Sequence, residues 1–292
     1  MSAPYLRPSR PSDEDALKRI WKLSFSDEDS FINMFFQDFY APGMATLMEC
    51  DSQPVSCIFT FKGARVSFPG EPEMNCAYVY SLGTLPEYRG RGFGAMVIQE
   101  SARRAFSEGS DAACFLPASI GLYRWYEKIL GTRTRFWIRE RRISRRELPE
   151  APPPVHVEAV GASEYGALRE KLLSGRPHAR FDDKLLRFQE AICNYYGGGL
   201  YRLKYGGFEG CAAAIAEGDS LTICELLLPD GPLLQAVSAL SELHPAEDFI
   251  VRSPAFWGED QGGNIREHVV VVSPPGRQFP VRNDAYWGPA FD

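Results

Sequence analysis

The chain has 292 residues, of which 45% are hydrophobic, 13% aromatic and 24% charged, and its net charge is −6. This length suggests two domains, and the hydrophobic content excludes intrinsic disorder. No apolar run approaches the roughly 20 residues that cross a bilayer. The first residues also lack the apolar segment of a signal peptide, so we expect a cytoplasmic protein without a membrane partner.

Charge and cysteine content narrow the function classes further. Residues 1–150 carry 20 basic and 19 acidic side chains, whereas residues 151–292 carry 12 and 19. An acidic second half argues against binding of a nucleic-acid backbone. The seven cysteines include no C-x-x-C pair, and the four histidines have no metal-ligand spacing. We therefore expect reduced cysteines, no metal and no nucleic-acid partner, while homo-oligomer formation stays open.

The first half of the chain reads as alternating strands and helices. A strand at 5–7 precedes a helix capped by Ser12, with Asp15 in the capping-box position, and a second helix spans 30–40. Periodicity and turn residues then predict strands at 46–50, 55–61, 75–85, 112–116 and 136–143, and helices at 93–106 and 120–129.

A proline-rich segment, 148–154, separates the two halves, because such a segment continues neither a helix nor a central strand. The second half repeats the order of the first. Its predicted strands are 155–160, 200–205, 211–216, 221–228, 249–251 and 269–272, and its helices are 163–173, 183–195 and 233–243. We interpret this order as a diverged duplication, with domains at 1–147 and 155–292.

A glycine-rich turn lies between the predicted strand at 75–85 and the predicted helix at 93–106. Residues 89–94 read R-G-R-G-F-G and run directly into an amphipathic helix. Such a turn leaves backbone N–H groups at a helix N-terminus, where the dipole adds roughly half a positive charge. Glycine also lets phosphates approach the backbone. We therefore predict that this turn binds a pyrophosphate. The spacing of its glycines matches neither the dinucleotide-binding pattern nor the Walker A pattern.

The run Arg89-Gly90-Arg91-Gly92-Phe93-Gly94, preceded by Leu82-Gly83-Thr84-Leu85-Pro86, resembles motif A of the GNAT N-acetyltransferases. The resemblance implies acetyl-CoA as co-substrate, with its pyrophosphate on the turn and its pantetheine and thioester along the preceding strand. The cofactor-binding residues that it implies are Leu82, Gly83, Thr84, Arg89, Gly90, Arg91, Gly92, Phe93, Gly94 and Ser119.

The whole chain is similar to a tandem arrangement in which a degenerate GNAT-like domain follows a GNAT acetyltransferase domain. In the second half, the turn Pro229-Asp230-Gly231-Pro232 replaces the glycine pattern, and its prolines have no N–H to donate. We therefore expect acetyl-CoA in the first domain only. The fold class that follows is α/β (α+β), with two GNAT-like domains, each a mixed, mostly antiparallel twisted sheet flanked by helices.

A second segment, residues 116–131, resembles GNAT motif B through Trp125-Tyr126-Glu127-Lys128. The resemblance implies that Tyr126 is the general acid that protonates the departing thiolate. The sequence departs from the motif by one extra residue, Leu130, and by Thr132 in place of an aromatic residue. Tyr123 stays the alternative, because it begins a second possible register.

The resemblance implies direct acetyl transfer to an amine in a ternary complex, and no cysteine has a neighbouring histidine to activate it for a covalent route. The amine is a small molecule or a peptide group. Its pocket is expected around residues 31–39, with Tyr78 or Tyr80 on the cofactor strand. The candidate bases, among which the sequence does not choose, are Glu49, Asp51, Asp27 and Glu28.

Three further alternatives stay open. A non-catalytic CoA-binding or regulatory module is the alternative to an enzyme, and Leu130 in motif B favours it. The aromatic segment 286–292 is a candidate for a strand that reaches the first domain. The arginines at 133, 135, 139 and 141 suit the solvated face of a strand, or else contact the CoA 3′-phosphate or the acidic second half.

Overall fold

The computed structural model describes residues 3–150, 154–229, 231–258, 262–280 and 284–291. Its helices are α1 (Glu14–Phe25), α2 (Asp29–Asp38), α3 (Phe93–Ser107), α4 (Ile120–Leu130), α5 (Ala162–Leu172), α6 (Asp183–Tyr195) and α7 (Leu233–Leu243). Its strands are β1 (Tyr5–Pro8), β2 (Ala45–Cys50), β3 (Gln53–Ser67), β4 (Met74–Thr84), β5 (Ala112–Phe115), β6 (Arg135–Ser144), β7 (His156–Ala159), β8 (His178–Phe181), β9 (Gly199–Tyr205), β10 (Phe208–Glu217), β11 (Ser220–Leu227), β12 (Asp248–Pro254) and β13 (Asn264–Val272).

The chain forms two compact units. The first unit comprises Met1–Ala64, Met74–Thr134 and Val270–Pro280. The second unit comprises Arg65–Glu73, Arg135–Val269 and Val281–Asp292. These units are not the contiguous halves of the chain, because each contains a segment from the other half. The domain boundary at 148–154 stays a prediction, and its central residues, 151–153, lie outside the described part of the chain.

The sheet of the first unit has the strand order β1-β2-β3-β4-β5-β13. Strand β4 runs parallel to β5, whereas β1 and β2, β2 and β3, and β5 and β13 are antiparallel pairs. Only the last three residues of β13 take part, as Val270–Val272 pair with Ala113–Phe115. The sequence analysis assigned this strand to the second half, but the first unit uses it to cover the edge of β5.

The sheet of the second unit has the order β7-β9-β10-β11-β12-β6. Strand β11 runs parallel to β12, and every other neighbouring pair in this order is antiparallel. Its last strand, β6, comes from the first half of the chain. Both units thus have a mixed, mostly antiparallel sheet with one parallel pair next to the last strand, which confirms the predicted sheet type.

The N-terminus of α1 differs from the sequence prediction. The helix begins at Glu14, after a short 3₁₀ turn, and Ser12 with Asp15 does not form the predicted capping box. Asp13 instead accepts a bond from the backbone N–H of Arg10 at 2.6 Å and a bidentate pair from Arg7 at 2.6 and 2.8 Å. Asp13 therefore binds Arg7 on β1, and the predicted cap of Ser12 and Asp15 does not form, because a bidentate arginine–carboxylate pair is stronger than a neutral cap.

The C-terminal segment packs in the second unit, around a buried ion pair. The guanidinium of Arg169 lies 3.0 Å from the carboxylate of Glu225, and both side chains are at most 1% exposed. Arg169 also donates to the carbonyl of Ala179, and to that of Trp287 at 2.8 Å. The hypothesis that the segment 286–292 reaches the first domain is therefore replaced by this packing, with Asp292 outside the described residues.

Candidate active site

The parallel strands β4 and β5 separate in the first unit. Their pairing ends at Tyr78 and Cys114, although β4 continues to Thr84. Ser81, inside the continuing part of β4, has a φ of +57°, which is rare for a residue with a side chain. A left-handed residue inside a strand is typical of a β-bulge. Beyond Tyr78, the second half of β4 has no register partner in β5, and this end of the pairing is the opening between β4 and β5.

The turn after β4 depends on two glycines in the left-handed conformation. Gly90 has a φ of +77° and Gly92 a φ of +81°, and a Cβ atom placed on either would have no atom within 4 Å. Gly94 has a different role, because a Cβ atom there would lie 3.6 Å from the Thr84 hydroxyl and 3.9 Å from the Trp125 ring. The first two glycines shape the turn, and the third admits close packing at the start of α3.

The backbone amides of this turn point to an anion site. The first helical bond of α3 runs from Met96 N–H to Gly92 at 3.1 Å. Within the described part of the chain, the N–H groups of residues 90–95 donate to no backbone carbonyl. The N-terminus of a helix carries roughly half a positive charge, and exposed amides there bind phosphate groups. The turn therefore has the donors and the field that a diphosphate requires.

The two arginines of the turn have partners within the protein. Arg89 donates to the carbonyl of Thr84 at 3.1 Å and to that of Leu23, in the last turn of α1, at 3.2 Å. Arg91 donates to the carbonyl of Glu87 at 3.2 Å and lies 4.8 Å from the centre of the Tyr88 ring. The bonds of Arg89 fasten the turn to β4 and α1, and the bond of Arg91 lies within the turn.

The strand residues that motif A implicates, 82–84, are partly engaged. Ser56 donates from its hydroxyl to the carbonyl of Gly83 at 2.9 Å and lies 2.8 Å from the hydroxyl of Thr84. A Cβ atom on Gly83 would lie 2.7 Å from the Ser24 hydroxyl and 2.9 Å from Ile20. Gly83 is therefore required for the close approach of α1 to β4. The sequence analysis attributed it to cofactor binding alone and missed this packing role.

Helix α4 carries the two candidate acids. Tyr123 is 6% exposed and Tyr126 is 7% exposed. The Tyr126 ring lies 4.4 Å from that of Phe115, the residue after Cys114, where β5 leaves β4. Burial raises the pKa of the Tyr126 phenol, so the hydroxyl keeps its proton at neutral pH. Ser119 lies at the N-cap of α4 and is exposed.

The departures from motif B have a structural reason. Gly131 ends α4 with a φ of +65° and donates its N–H to Glu127 at 3.0 Å. Thr132 donates its hydroxyl to the carbonyl of Val271 at 2.6 Å, and Val271 in turn donates to Thr134 at 2.9 Å. Threonine thus replaces the aromatic residue where the chain meets β13, and Leu130 is the last residue of α4.

An aromatic cluster lies on the other side of β4, between α1 and α2. Trp21 is its centre, with ring centroids 4.7 Å from Phe35, 5.4 Å from Phe59 and 5.7 Å from Tyr80. Tyr80 lies on the part of β4 beyond its pairing with β5. The cluster brings together α2 and Tyr80, whereas the acceptor pocket at these residues stays a prediction. Tyr78 is buried within the paired part of the strand.

The four candidate bases occupy different surroundings. Glu49 is bound to Arg7 at 2.6 Å, and its pKa is lowered by hydrogen bonds from Tyr5 and Arg7, so it is a weak base. Asp51 lies in the turn between β2 and β3, and Glu28 is exposed at the N-cap of α2. Asp27 accepts a bond from the indole N–H of Trp21 at 2.6 Å. It is therefore the candidate that adjoins the aromatic cluster.

All seven cysteines are buried, and none is in a disulfide bond. Burial raises the pKa of Cys57 and of Cys114, which lies at the point where β4 and β5 separate. Within the described ranges, no group of three His, Cys, Asp or Glu side chains is arranged to hold a metal ion. No described helix combines the length and the apolar character that a membrane span requires.

Comparison with known families gives a match over residues 5–127 to the family described as acetyltransferase (GNAT) domain. This range includes α1–α3, the glycine turn and most of α4. It also includes both candidate tyrosines. No protein of curated function matches the sequence at a significant level.

Solved structures of similar fold extend over nearly the whole chain. A GCN5-related N-acetyltransferase from Anabaena variabilis is 13% identical, with a TM-score of 0.68 over 92% of this chain and 72% of that one. Another from Kribbella flavida is 14% identical, with a TM-score of 0.63 over 92% and 71%. Eis1 from Mycobacterium abscessus is 12% identical, with a TM-score of 0.63 over 93% and 74%. At these identities the likeness shows the fold, and it includes both units.

Proposed function

Because residues 5–127 belong to the GNAT acetyltransferase family, we propose that this chain transfers the acetyl group of acetyl-CoA directly to an amine in a ternary complex. The observation that carries the proposal is the set of backbone amides at 90–95, which lies next to the opening between β4 and β5. A diphosphate on these amides directs the rest of an extended coenzyme toward the second half of β4.

The turn has room for the diphosphate of a coenzyme. Gly90 and Gly92 leave open space where a Cβ atom would stand, so phosphate oxygens reach the amides without steric conflict. Hydrogen bonds from amides to an ionised phosphate are short and about twice as strong as neutral ones. Residues 89–94 would hold the diphosphate, and Leu82 and Thr84 would contact pantetheine. Bound there, acetyl-CoA supplies an activated acyl thioester.

Acyl transfer requires donors for the negative charge that develops on the carbonyl oxygen, which is usually the largest electrostatic contribution. Backbone groups near the bulge at Ser81 are suited to this role, because they are displaced from the β ladder. Tyr126 would protonate the departing thiolate, and such a donor contributes roughly 10²–10⁴-fold. Both tyrosines are buried, and the contact of the Tyr126 ring with Phe115, where β5 leaves β4, supports Tyr126 over Tyr123.

The acceptor amine would lie between the aromatic cluster and the opening. Asp27 is bound to Trp21 and follows the last turn of α1, to which Arg89 also donates. A carboxylate beside aromatic faces favours an ammonium group, which both the charge and the rings attract. We assign Asp27 as the carboxylate that orients the amine and takes its proton, directly or through water. The raised pKa values of Cys57 and Cys114 support direct transfer over an acyl-cysteine.

The test is a thiol-release assay with acetyl-CoA and a panel of small amines and peptides, paired with calorimetry of acetyl-CoA binding. We expect one coenzyme per chain and release of thiol that depends on the amine. Asp27→Asn should lower the rate without changing coenzyme affinity, and Asp51→Asn is its matched control. Binding without release over the whole panel would support the non-catalytic CoA-binding module instead. Absence of coenzyme binding would reject both functions.

A further inference from the structure

Thr84 is the last residue of β4, and its hydroxyl faces the first turn of α3. The hydroxyl oxygen lies 3.6 Å from the position that a Cβ atom on Gly94 would take. Gly94 is one of the residues 90–95, whose N–H groups donate to no backbone carbonyl in the described part of the chain. Thr84 is half-buried. A ligand bound to these amides would therefore lie next to the Thr84 hydroxyl.

The proton of a neighbouring hydroxyl, that of Ser56, is fully committed. Ser56 lies on β3, is completely buried and donates to the carbonyl of Gly83 at 2.9 Å. A hydroxyl has one proton to donate and two lone pairs that accept. A carbonyl oxygen accepts only, so the carbonyl of Gly83 takes the single proton of Ser56.

The second contact of Ser56 therefore has a fixed direction. The Oγ atom of Ser56 lies 2.8 Å from the Oγ1 atom of Thr84, a normal length for a hydrogen bond between two hydroxyls. Because Ser56 has no further proton, Thr84 is the donor in this bond. The Thr84 hydroxyl then presents only lone pairs to a ligand, so it accepts hydrogen bonds from the ligand and donates none.

The other polar contact of Thr84 agrees with this assignment. Arg89 donates to the backbone carbonyl of Thr84 at 3.1 Å and not to its side chain. Among the described residues, Ser56 is the one hydrogen-bond partner of the Thr84 hydroxyl. The sequence of donors, from Thr84 to Ser56 to the carbonyl of Gly83, contains no titratable group, so its direction is the same at every pH at which the protein is folded.

A coenzyme on the turn has donors that match such an acceptor. Beyond the diphosphate, the pantothenate part of acetyl-CoA carries first a hydroxyl and then an amide N–H. ADP has the diphosphate but no pantothenate part. An acceptor next to the diphosphate can therefore distinguish the two ligands, because a polar group that loses its partner on binding lowers the affinity.

We propose, on the basis of the coenzyme site proposed above, that Thr84 is a specificity-determining residue. Its hydroxyl oxygen accepts a hydrogen bond from the hydroxyl or the amide N–H of the pantothenate part of acetyl-CoA. Ser56 is a positioning residue, because it takes the proton of Thr84 and so leaves lone pairs for the coenzyme. This bond favours acetyl-CoA over a nucleotide diphosphate that binds the same amides.

The test is calorimetric titration of the full chain and its variants with acetyl-CoA and with ADP. Thr84→Val should weaken acetyl-CoA binding about tenfold, since one hydrogen bond is lost, and should not change the affinity for ADP. Thr84→Ser keeps the hydroxyl and should restore acetyl-CoA binding to within about twofold. Thr60→Val is the matched control, because it breaks a similar hydroxyl pair, with Ser101 at 2.9 Å in the middle of α3.

A double-mutant cycle tests the role of Ser56. Ser56→Ala should weaken acetyl-CoA binding about threefold in the native background, because the Thr84 hydroxyl is then free to rotate. In the Thr84→Val background it should have no further effect. A merely structural role of Ser56 would lower the affinity equally in both backgrounds. Circular dichroism checks that each variant is folded.

An acetyl-CoA analogue with an ester in place of the amide nearest to the diphosphate identifies the donor. Weaker binding of the analogue would assign the N–H, and native binding the hydroxyl. Native acetyl-CoA affinity in Thr84→Val, an equal loss for ADP, or equal effects of Ser56→Ala in both backgrounds would overturn the inference and leave the coenzyme site in place. A native chain that binds neither acetyl-CoA nor ADP would reject the coenzyme site itself, and this inference with it.

Discussion

The two strand-to-helix connections, β4 to α3 and β11 to α7, have the same topology and opposite chemistry. In both, a parallel pair of strands separates after its last register pair, Tyr78 with Cys114 and Ile223 with Val251. The first connection ends in glycines with open space around them, whereas the second ends in Leu228 and Pro232. The two connections therefore share a topology and differ in the residues that form their turns.

The backbone donors differ in the same way. The amides of residues 90–95 donate to no carbonyl in the described part of the chain. At the start of α7, Pro232 has no N–H and Gly231 donates to Leu228. The two turns thus differ in a few residues only, with open glycines in the first and an apolar side chain and a proline in the second, without a change in the order of strand and helix. The predictions below test whether the units divide coenzyme binding and stability as this comparison indicates.

The largest expected effect is on the coenzyme turn. Gly92→Val places a Cβ atom in the open space above the amides and strains a residue with a φ of +81°. We expect acetyl-CoA affinity to fall by about 1,000-fold or more, because several charge-assisted bonds are lost together. Gly109→Val is the matched control, since Gly109 has a φ of +94° and open space at the other end of α3. Calorimetry should find near-native affinity for the control, and equal losses would contradict the site.

The second effect concerns the buried ion pair of the second unit. Arg169→Met leaves the carboxylate of Glu225 buried and without its cation. We expect a loss of about 3–5 kcal/mol in the free energy of unfolding, measured by urea denaturation. Arg187→Met, on the exposed face of α6, is the control and should have little effect. Acetyl-CoA affinity of the folded Arg169→Met protein should stay native, and a large loss would show that the units are not independent.

The third effect separates the two tyrosines of α4. Tyr126→Phe removes the proposed proton donor but keeps the ring against Phe115. We expect kcat to fall by about 100-fold, at the lower end of the range for general acids, with acetyl-CoA affinity unchanged. Tyr123→Phe, three residues earlier on the same helix, should change kcat less than threefold. The reverse result from steady-state kinetics would assign the acid to Tyr123.

The smallest expected effect concerns the ion pair between Arg7 and Asp13 in the first unit. These charges are closer to the surface than those of Arg169 and Glu225. The hydrogen bonds of Arg7 lower the pKa of Asp13 below its unfolded value. The contribution of ionised Asp13 to the free energy of unfolding is therefore complete above about pH 4. It is lost as the pH falls through the folded pKa. We expect Asp13→Asn to cost about 1–2 kcal/mol at pH 7. Urea denaturation at pH 3 should show a smaller difference, and a constant difference would contradict the ionic origin.

Local patterns in the sequence predicted much of the fold. The helices at 183–195 and 233–243 were predicted to the residue, because their apolar positions recur at helical spacing. The glycine turn was located because strand, glycines and helix follow one another directly. The capping of α1 was predicted wrongly, since Arg7 on another element competes for Asp13. Strand β8, at His178–Phe181, was missed because it is short.

Features that depend on distant contacts were not predictable. The arginines at 133, 135, 139 and 141 were expected on a solvated face or, alternatively, in contact with CoA or with the acidic second half. Arg135 follows the last alternative, because it is 6% exposed and pairs with Glu267 at 2.7 Å. A cavity of about 570 Å³ in the second unit is lined by residues of four strands, of α7 and of the segments that follow β11 and β12, so no local pattern indicates it. Likewise, nothing near Val270 or Phe115 marks them as partners, since pairing between strands so far apart leaves no periodic signal.

The exchange of strands between the two halves has a consequence for biosynthesis. A ribosome releases Ala112–Phe115 long before it adds Val270–Val272, which later pair with them. During that interval the nascent chain exposes an unpaired, apolar strand edge of the kind that promotes aggregation. Expression of residues 1–147 alone would make this state permanent. The sheet of the first unit is therefore complete only after Val270–Val272 have been added to the chain.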